Sequence, residues 1–225
     1  FSVISGAMIL CMVWDAINDL LMGIIIENTH FKMGKFKPWI LAGSLTNAIV
    51  IVCLFTIRPR GRGFVAFYSL FYLLWGMTYT MNDIAYWGVL PSLSSDPGTR
   101  DSLVTIMSIF VCIGQFSVAG VVPVVIAGNA VKAYRIVAVV VALCLIAFQM
   151  LTAFGIKEND REEQKDKLSL KDMYHIFVRN DQLVAAGIAS IFFNITCNIL
   201  IIFGVNFFYI EYGYSESGNL VFYFT

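Results

Sequence analysis

Long apolar runs, separated by short polar segments, dominate this chain. Six of them reach the length of about 20 residues that a helix needs to cross a bilayer. They cover Phe1 to Ile26, Pro38 to Ile57, Phe64 to Leu90, Leu103 to Ile126, Ile136 to Ile156 and Gln182 to Ile210. A seventh run begins near Gly218 and continues to Thr225. The pattern predicts an all-α, polytopic membrane helical bundle, and because a helical run is already under way at a first residue other than Met, we expect a fragment of a longer chain.

Composition places the chain in the same class. Of the 225 residues, 59% are hydrophobic and 13% are charged, with a mean hydropathy of +0.78, whereas a soluble domain is about 25% charged. The formal net charge is zero, which gives no reason to expect a nucleic acid partner. The five cysteines stand singly in apolar runs without metal or redox spacing, and we interpret them as reduced packing residues.

The longest polar segment, Lys157 to Asp181, separates the first five spans from the sixth. After Ser169, apolar residues recur at helical spacing and predict a short amphipathic helix on the membrane surface: Leu170, Met173, Tyr174 and Phe177. Residues 157–167 are explained equally well as a linker between two helical halves and as a simple solvated charged segment. Ten of the fifteen Lys and Arg residues lie in loops on the same side of the membrane as this segment, and five lie on the opposite side. We therefore expect the segment to be cytoplasmic.

Three aspartates, Asp15, Asp19 and Asp83, lie inside spans that contain no Lys, Arg or His. A carboxylate at the bilayer centre costs about 2.5 to 3.5 kcal/mol. In the first span, twelve Leu, Ile, Val and Phe residues contribute about −6 kcal/mol while the two aspartates cost about 5 to 7 kcal/mol, so this helix alone would insert only marginally. Its carboxylates are therefore expected to face an aqueous interior.

Asp15 and Asp19 are four residues apart and share one face of a helix, with Asn18 on the same flank. Oxygen ligands with adjacent negative charges suit a hard cation such as Na⁺. They also suit a proton, because two close carboxylates do not ionise together cheaply. We predict a cation site here, with both aspartates as metal ligands if Na⁺ is the ion; the alternative is that they only bond a neighbouring helix.

The third span carries a second polar face. Its members are spaced at three and four residues, so that hydroxyl, carboxylate and aromatic groups align: Tyr79, Thr80, Asp83 and Trp87. Carboxylates accept hydrogen bonds from vicinal hydroxyls, and an indole packs on the CH face of a sugar ring. A sugar site and ordinary aromatic packing explain these residues equally well. Lone polar residues elsewhere are candidates for lining a cavity or for bonding helices together: Gln115, Asn194 and Asn198.

Three motifs together resemble the glycoside-pentoside-hexuronide:cation symporters of the major facilitator superfamily. They are Trp14 to Asp19 (WDAIND), Gly34 to Trp39 (GKFKPW) and Trp75 to Trp87 (WGMTYTMNDIAYW). The similarity is to melibiose permease-like members and extends over nearly the whole chain. It implies a twelve-helix fold in two halves, of which about six and a half helices are present. On that basis 1–156 is the N-terminal half with helices 2–6 of the family fold, 157–181 the cytoplasmic middle loop, and 182–225 the start of the C-terminal half with helix 7 and a truncated helix 8.

The resemblance also implies roles for individual residues. Cation binding is implied for Asp15, Asn18, Asp19 and Thr80, substrate binding for Tyr79, Asp83 and Trp87, and gating for a loop that includes Gly34, Lys35 and Lys37. Some positions depart from the melibiose permease-like pattern: Leu20 and Ala85 replace prolines, and Ser108 replaces a sugar-binding arginine. The last departure bears on sugar specificity and not on symport.

The expected function is secondary active transport, not enzyme catalysis. We expect a Na⁺- or H⁺-coupled symporter of a sugar or glycoside, working by alternating access in the plasma (inner) membrane. We expect no cofactor, with Na⁺ or H⁺ serving as the coupling ion. Besides the sugar, membrane lipid is the expected partner. The protein is expected to be a monomer. A lysolipid carrier on the same fold is the nearest alternative. A membrane prenyltransferase also uses aspartates four apart, but it needs a second acidic motif and basic diphosphate contacts that we do not find.

Overall fold

Seven α-helices make up the computed structural model in the residues it describes, which are 2–94, 96–126, 130–156 and 169–212. They are α1 (Ser2–Glu27), α2 (Lys37–Thr56), α3 (Arg62–Leu93), α4 (Pro97–Ile126), α5 (Ala130–Gly155), α6 (Leu170–Arg179) and α7 (Asp181–Tyr212). All except the short α6 are long and apolar enough to cross a membrane. The expected all-α membrane bundle is confirmed, whereas the linker at 157–168 and the run near Gly218 lie outside the described residues.

α4 begins earlier than the apolar run that predicted it. The helix starts at Pro97, six residues before Leu103, because Asp96 caps it. The Asp96 carboxylate accepts the Thr99 backbone N–H at 2.8 Å and the Thr99 hydroxyl at 2.7 Å. Proline at the first helical position sacrifices no helical hydrogen bond. The backbone N–H groups in the first turn of a helix have no partner within the helix, and the Asp96 cap satisfies one of them. The polar residues between Pro97 and Leu103 are therefore helical as well.

The chain divides into two compact units. The first contains the described residues of Phe1–Met107 and Val131–Lys167, and the second those of Ser108–Ala130 and Leu168–Thr225. In the first unit, buried side chains from α1, α2 and α3 form an apolar core: Ile26, Ile40, Ala85 and Val89. This core anchors the three helices that carry the acidic motifs.

α3 is the central helix of the first unit, since it packs against both α1 and α2. Gly43 of α2 approaches it so closely that a Cβ there would stand 2.8 Å from the Asn82 backbone nitrogen. Small residues allow such close crossings of membrane helices. Further along the same interface, the buried Asn47 amide donates to the Thr78 hydroxyl at 3.0 Å and to the Trp75 carbonyl at 3.2 Å.

In the second unit, the short helix expected after Ser169 is present as α6. A capping box starts it, in which the Ser169 N–H donates to the Asp172 carboxylate at 2.9 Å. On its apolar side, the Phe177 ring lies against α7, 3.9 Å from the position of a Cβ on Gly187. None of the residues of α6 is buried. Its location on the membrane surface stays a prediction.

Candidate cation and substrate site

The contact between α1 and α3 joins two predicted cation ligands that are 61 residues apart. The Thr80 hydroxyl donates to Oδ1 of Asp19 at 2.8 Å. Thr80 is 4% exposed, whereas the Asp19 side chain is exposed. A buried hydroxyl therefore holds one oxygen of a carboxylate that is otherwise open to a ligand.

Asp15 meets the same face of α3 one turn earlier. Its Oδ1 lies 2.9 Å from the position that a Cβ on Gly76 would occupy. Only a residue without a side chain permits this approach, because ordinary Cβ contacts begin at about 3.4 Å. Asp15 and Asp19 on α1 and Gly76 and Thr80 on α3 are both spaced by four residues, so the two helices present matching turns to one another.

Asn18, the third residue of the acidic motif, is only 3% exposed. Its side-chain nitrogen is buried without a hydrogen-bond partner among the described residues. A buried amide donor without a partner costs about 1 to 3 kcal/mol. The Asn18 amide, next to Asp19 in the sequence, thus has part of its hydrogen-bonding capacity unused.

The predicted substrate residues are the next polar groups along α3. Asp83 and Trp87 are four residues apart on α3, which places them one helical turn from each other. Tyr79 lies one helical turn before Asp83 on the same helix. Both aromatic side chains are open, with exposures of 52% for Tyr79 and 40% for Trp87. The structure thus joins Asp19 to Thr80 and sets Asp15 against α3, and the roles of all these residues in cation and substrate binding stay predictions.

Asp15 and Asp19 could contribute to a site for a hard cation. In the described part of the chain, no group of three or more His, Cys, Asp and Glu side chains is arranged to hold a metal ion. A cation at Asp15 and Asp19 would thus need hydroxyl and amide oxygens to complete its shell. Thr80 and Asn18 carry such oxygens, and this oxygen-only set is typical of Na⁺-like ions and not of zinc or copper.

The predicted gating residues form the connection between α1 and α2. Gly34 has a φ of 108°, which favours glycine at this turn. The Lys35 ammonium pairs with the Glu27 carboxylate at 2.6 Å, and Lys37 is the first residue of α2. The Phe36 ring packs on α3, 2.6 Å from the position of a Cβ on Gly88. The connection is therefore tied to both the end of α1 and the face of α3.

The three candidate cavity residues belong to the second unit. Asn194 donates to the Ser190 carbonyl at 2.9 Å, and Asn198 donates to the Asn194 carbonyl at 2.8 Å. Gln115 is exposed on α4. Their amides therefore serve their own helix or remain open, and a cavity role for them stays a prediction.

Two amides that meet on the far side of α3, Asn82 of α3 and Gln149 of α5, were not predicted to be functional. Asn82 donates to the Ile40 carbonyl of α2 at 3.0 Å and accepts a bond from Gln149 of α5 at 3.1 Å. Gly76 was missed in the same way. An amide inside an apolar span is a signal that could have found Asn82 and Gln149, since such groups commonly bond across helices. Gly76 lies in the Trp75 to Trp87 motif, but nothing in that motif marks it as the contact of Asp15.

Comparison with known proteins finds relatives named as permeases, carriers and symporters. It is 27% identical to the lactose permease of Lactobacillus helveticus over 87% of this chain and 34% of the relative. It is 25% identical to the raffinose carrier protein of Pediococcus pentosaceus over 81% and 31%. It is 28% identical to the inner membrane symporter YicJ of Escherichia coli over 79% and 40%.

The chain spans about a third of the length of the first two relatives. A family model described as MFS/sugar transport protein matches residues 2–225, which is almost all of the chain. That match agrees with the six membrane-length helices and with the motifs on α1 and α3. This protein is a multi-pass membrane protein that belongs to the MFS/sugar transport family.

Proposed function

We propose that the full-length protein is a cation-coupled symporter of a sugar or glycoside that works by alternating access. The observation that carries the proposal is the Thr80–Asp19 hydrogen bond, because it joins α1 to α3 one turn from the place where Asp15 lies against Gly76. Relatives named as permeases, carriers and symporters support the sugar substrate and the absence of an enzymatic reaction.

Cation binding is assigned to the α1 side of the cluster. Asp15 and Asp19 supply the charge, and Thr80 supplies a hydroxyl oxygen. Turning the Asn18 amide by 180° would exchange its nitrogen, which has no partner among the described residues, for its oxygen. That oxygen would then be available as a fourth protein ligand for a cation. A proton on Asp15 or Asp19 would neutralise the same charge, so Na⁺ and H⁺ are both chemically suited.

Sugar binding is assigned to the neighbouring turns of α3. The Asp83 carboxylate can accept hydrogen bonds from hydroxyl groups, and Trp87 and Tyr79 offer exposed aromatic surface. Asp19 and Asp83 are both acidic, and close like charges disfavour each other's ionisation, so a cation at Asp19 would lower the electrostatic cost of charging both carboxylates. Each ligand therefore favours the other, and this coupling is reciprocal.

Alternating access then results from two helical halves that move around a shared central site. We assign the plasma (inner) membrane, and the charge distribution supports a middle loop on the cytoplasmic side. We assign a monomer as the working unit, with the sugar and membrane lipid as its partners.

Transport assays on single variants test this function. Asp19→Asn in the full-length protein should abolish cation-stimulated glycoside uptake. Thr80→Val should raise the half-saturating cation concentration about tenfold or more, since a hydrogen bond to a charged group is lost, while Thr80→Ser should stay close to wild type. Asp101→Asn, an exposed change in the first turns of α4, is the matched control.

Two outcomes would contradict the proposal. One is full cation-stimulated uptake by Asp19→Asn. The other is uptake of labelled lysolipids in place of glycosides by the wild-type protein, which would favour the lysolipid carrier.

A further inference from the structure

Asn82 of α3 and Gln149 of α5 are hydrogen-bonded on the side of α3 away from the ligand-binding residues. We propose that Gln149 of α5 is a positioning residue for substrate binding, acting through its hydrogen bond to Asn82. The inference rests on the proposed transport function, because Asn82 immediately precedes Asp83. Neither Asn82 nor Gln149 is expected to touch the sugar.

α3 has two opposite faces at this level. At 100° per residue, the ligand face that carries Gly76, Thr80 and Asp83 lies nearly opposite the face that carries Thr78 and Asn82. The first face meets α1 through Asp15 and Asp19. The second face meets α2, so any rotation of α3 moves both sets of contacts together.

Asn82 is bonded to two different helices. Its side-chain nitrogen donates to the Ile40 carbonyl of α2 at 3.0 Å, and its oxygen accepts from the Gln149 nitrogen of α5 at 3.1 Å. Gly43 fits against the Asn82 backbone, where an added Cβ would come within 2.8 Å. The Asn82 amide therefore resists rotation of α3 from two directions, and Gln149 provides the second of them.

A small rotation has a large effect on a ligand site. A side-chain tip about 5 Å from the helix axis moves by about 1 Å when the helix turns by about 10°. A displacement of that size is sufficient to weaken a positioned contact considerably. Since Asp83 directly succeeds Asn82 and Thr80 lies two residues before it, both groups would move when the Gln149 bond is lost.

The test uses Gln149→Met in the full-length transporter, because methionine keeps the unbranched length and removes the amide. We expect the half-saturating sugar concentration, measured at saturating cation, to rise about three- to tenfold. Maximal uptake per amount of protein in the membrane should change much less. A residue that only supported folding would lower the amount of protein without this shift in half-saturation.

Thr152→Val is the matched control on α5. Among the described residues, the Thr152 hydroxyl bonds the Phe148 carbonyl of its own helix, at 3.0 Å, and no other helix, so its loss should leave half-saturation unchanged. Asn82→Ala removes the other partner, and the double variant of Asn82→Ala with Gln149→Met should show no more than the larger single effect, because one shared bond is lost in each.

Unchanged half-saturation in Gln149→Met, or effects that add in the double variant, would overturn the inference while leaving the transport function intact. Absence of glycoside uptake by the wild-type protein would overturn both.

Discussion

Gly76 offers the sharpest test of the cation site, because it touches a proposed ligand without being one. In Gly76→Ala, the new methyl group would stand 2.9 Å from Oδ1 of Asp15, and ordinary contacts begin at about 3.4 Å. The Asp15 carboxylate must therefore retreat by about 0.5 Å. It is the end of a short side chain, so it can move without displacing either helix.

The expected consequence is a defect in ion binding with little loss of folding. A metal ligand misplaced by this amount should weaken the site, and we expect the half-saturating Na⁺ or H⁺ concentration for uptake to rise about tenfold. Helix stability itself should improve slightly, since alanine is a better helix former than glycine by about 1 kcal/mol. The measurement is the cation dependence of glycoside uptake, together with the amount of protein in the membrane.

Two other glycines serve as controls. Gly23→Ala on α1 meets nothing within 4 Å and should leave cation dependence unchanged. Gly43→Ala would meet backbone of α3 at 2.8 Å, which cannot retreat as a side chain can, and should lower the amount of folded protein. Wild-type cation dependence in Gly76→Ala would refute the assignment of Asp15 as a ligand held against α3.

Two further predictions concern the start of α4 and the surface helix. The hydrogen bonds from Thr99 lower the pKa of the Asp96 carboxyl below its ordinary value, so its capping contribution is present above the unfolded-state pKa and is lost as pH falls toward the folded-state pKa. Asp96→Ala should therefore reduce thermal stability at pH 7 and differ less and less from wild type as pH drops below about 4, and a difference that does not depend on pH would exclude an ionised cap. If α6 lies on the membrane, a spin label at Tyr174→Cys should be shielded from water-soluble relaxation agents while one at Arg179→Cys is accessible, and equal accessibility of the two labels would place α6 away from the bilayer.

Much of the fold could be predicted from the sequence. Apolar length alone located the six spans, because a spanning helix must bury about 20 residues in hydrocarbon. Helix ends were harder, since they depend on caps and not on hydrophobicity. The bond between Asp96 and Thr99 extends α4 into a polar turn that no apolar pattern marks.

Much of the candidate site could also be predicted from the sequence. Helical periodicity placed Asp15 and Asp19 on one face of α1, and Thr80 and Asp83 on one side of α3. The cost of a carboxylate in the bilayer made these residues conspicuous. By contrast, Gly76 and Gln149 carry no charge, and their importance depends on which residues of other helices lie next to them.

The sequence by itself determined that the chain forms membrane-spanning helices and which face of α1 and of α3 is acidic. Only the tertiary structure decided that Asp19 meets Thr80, that Asp15 rests on Gly76, and that Asn82 is held from α2 and α5. Periodicity fixes the directions of side chains around one helix axis. The rotation and register between two helices that are distant in sequence depend on how their surfaces pack, and those surfaces meet only in the folded protein.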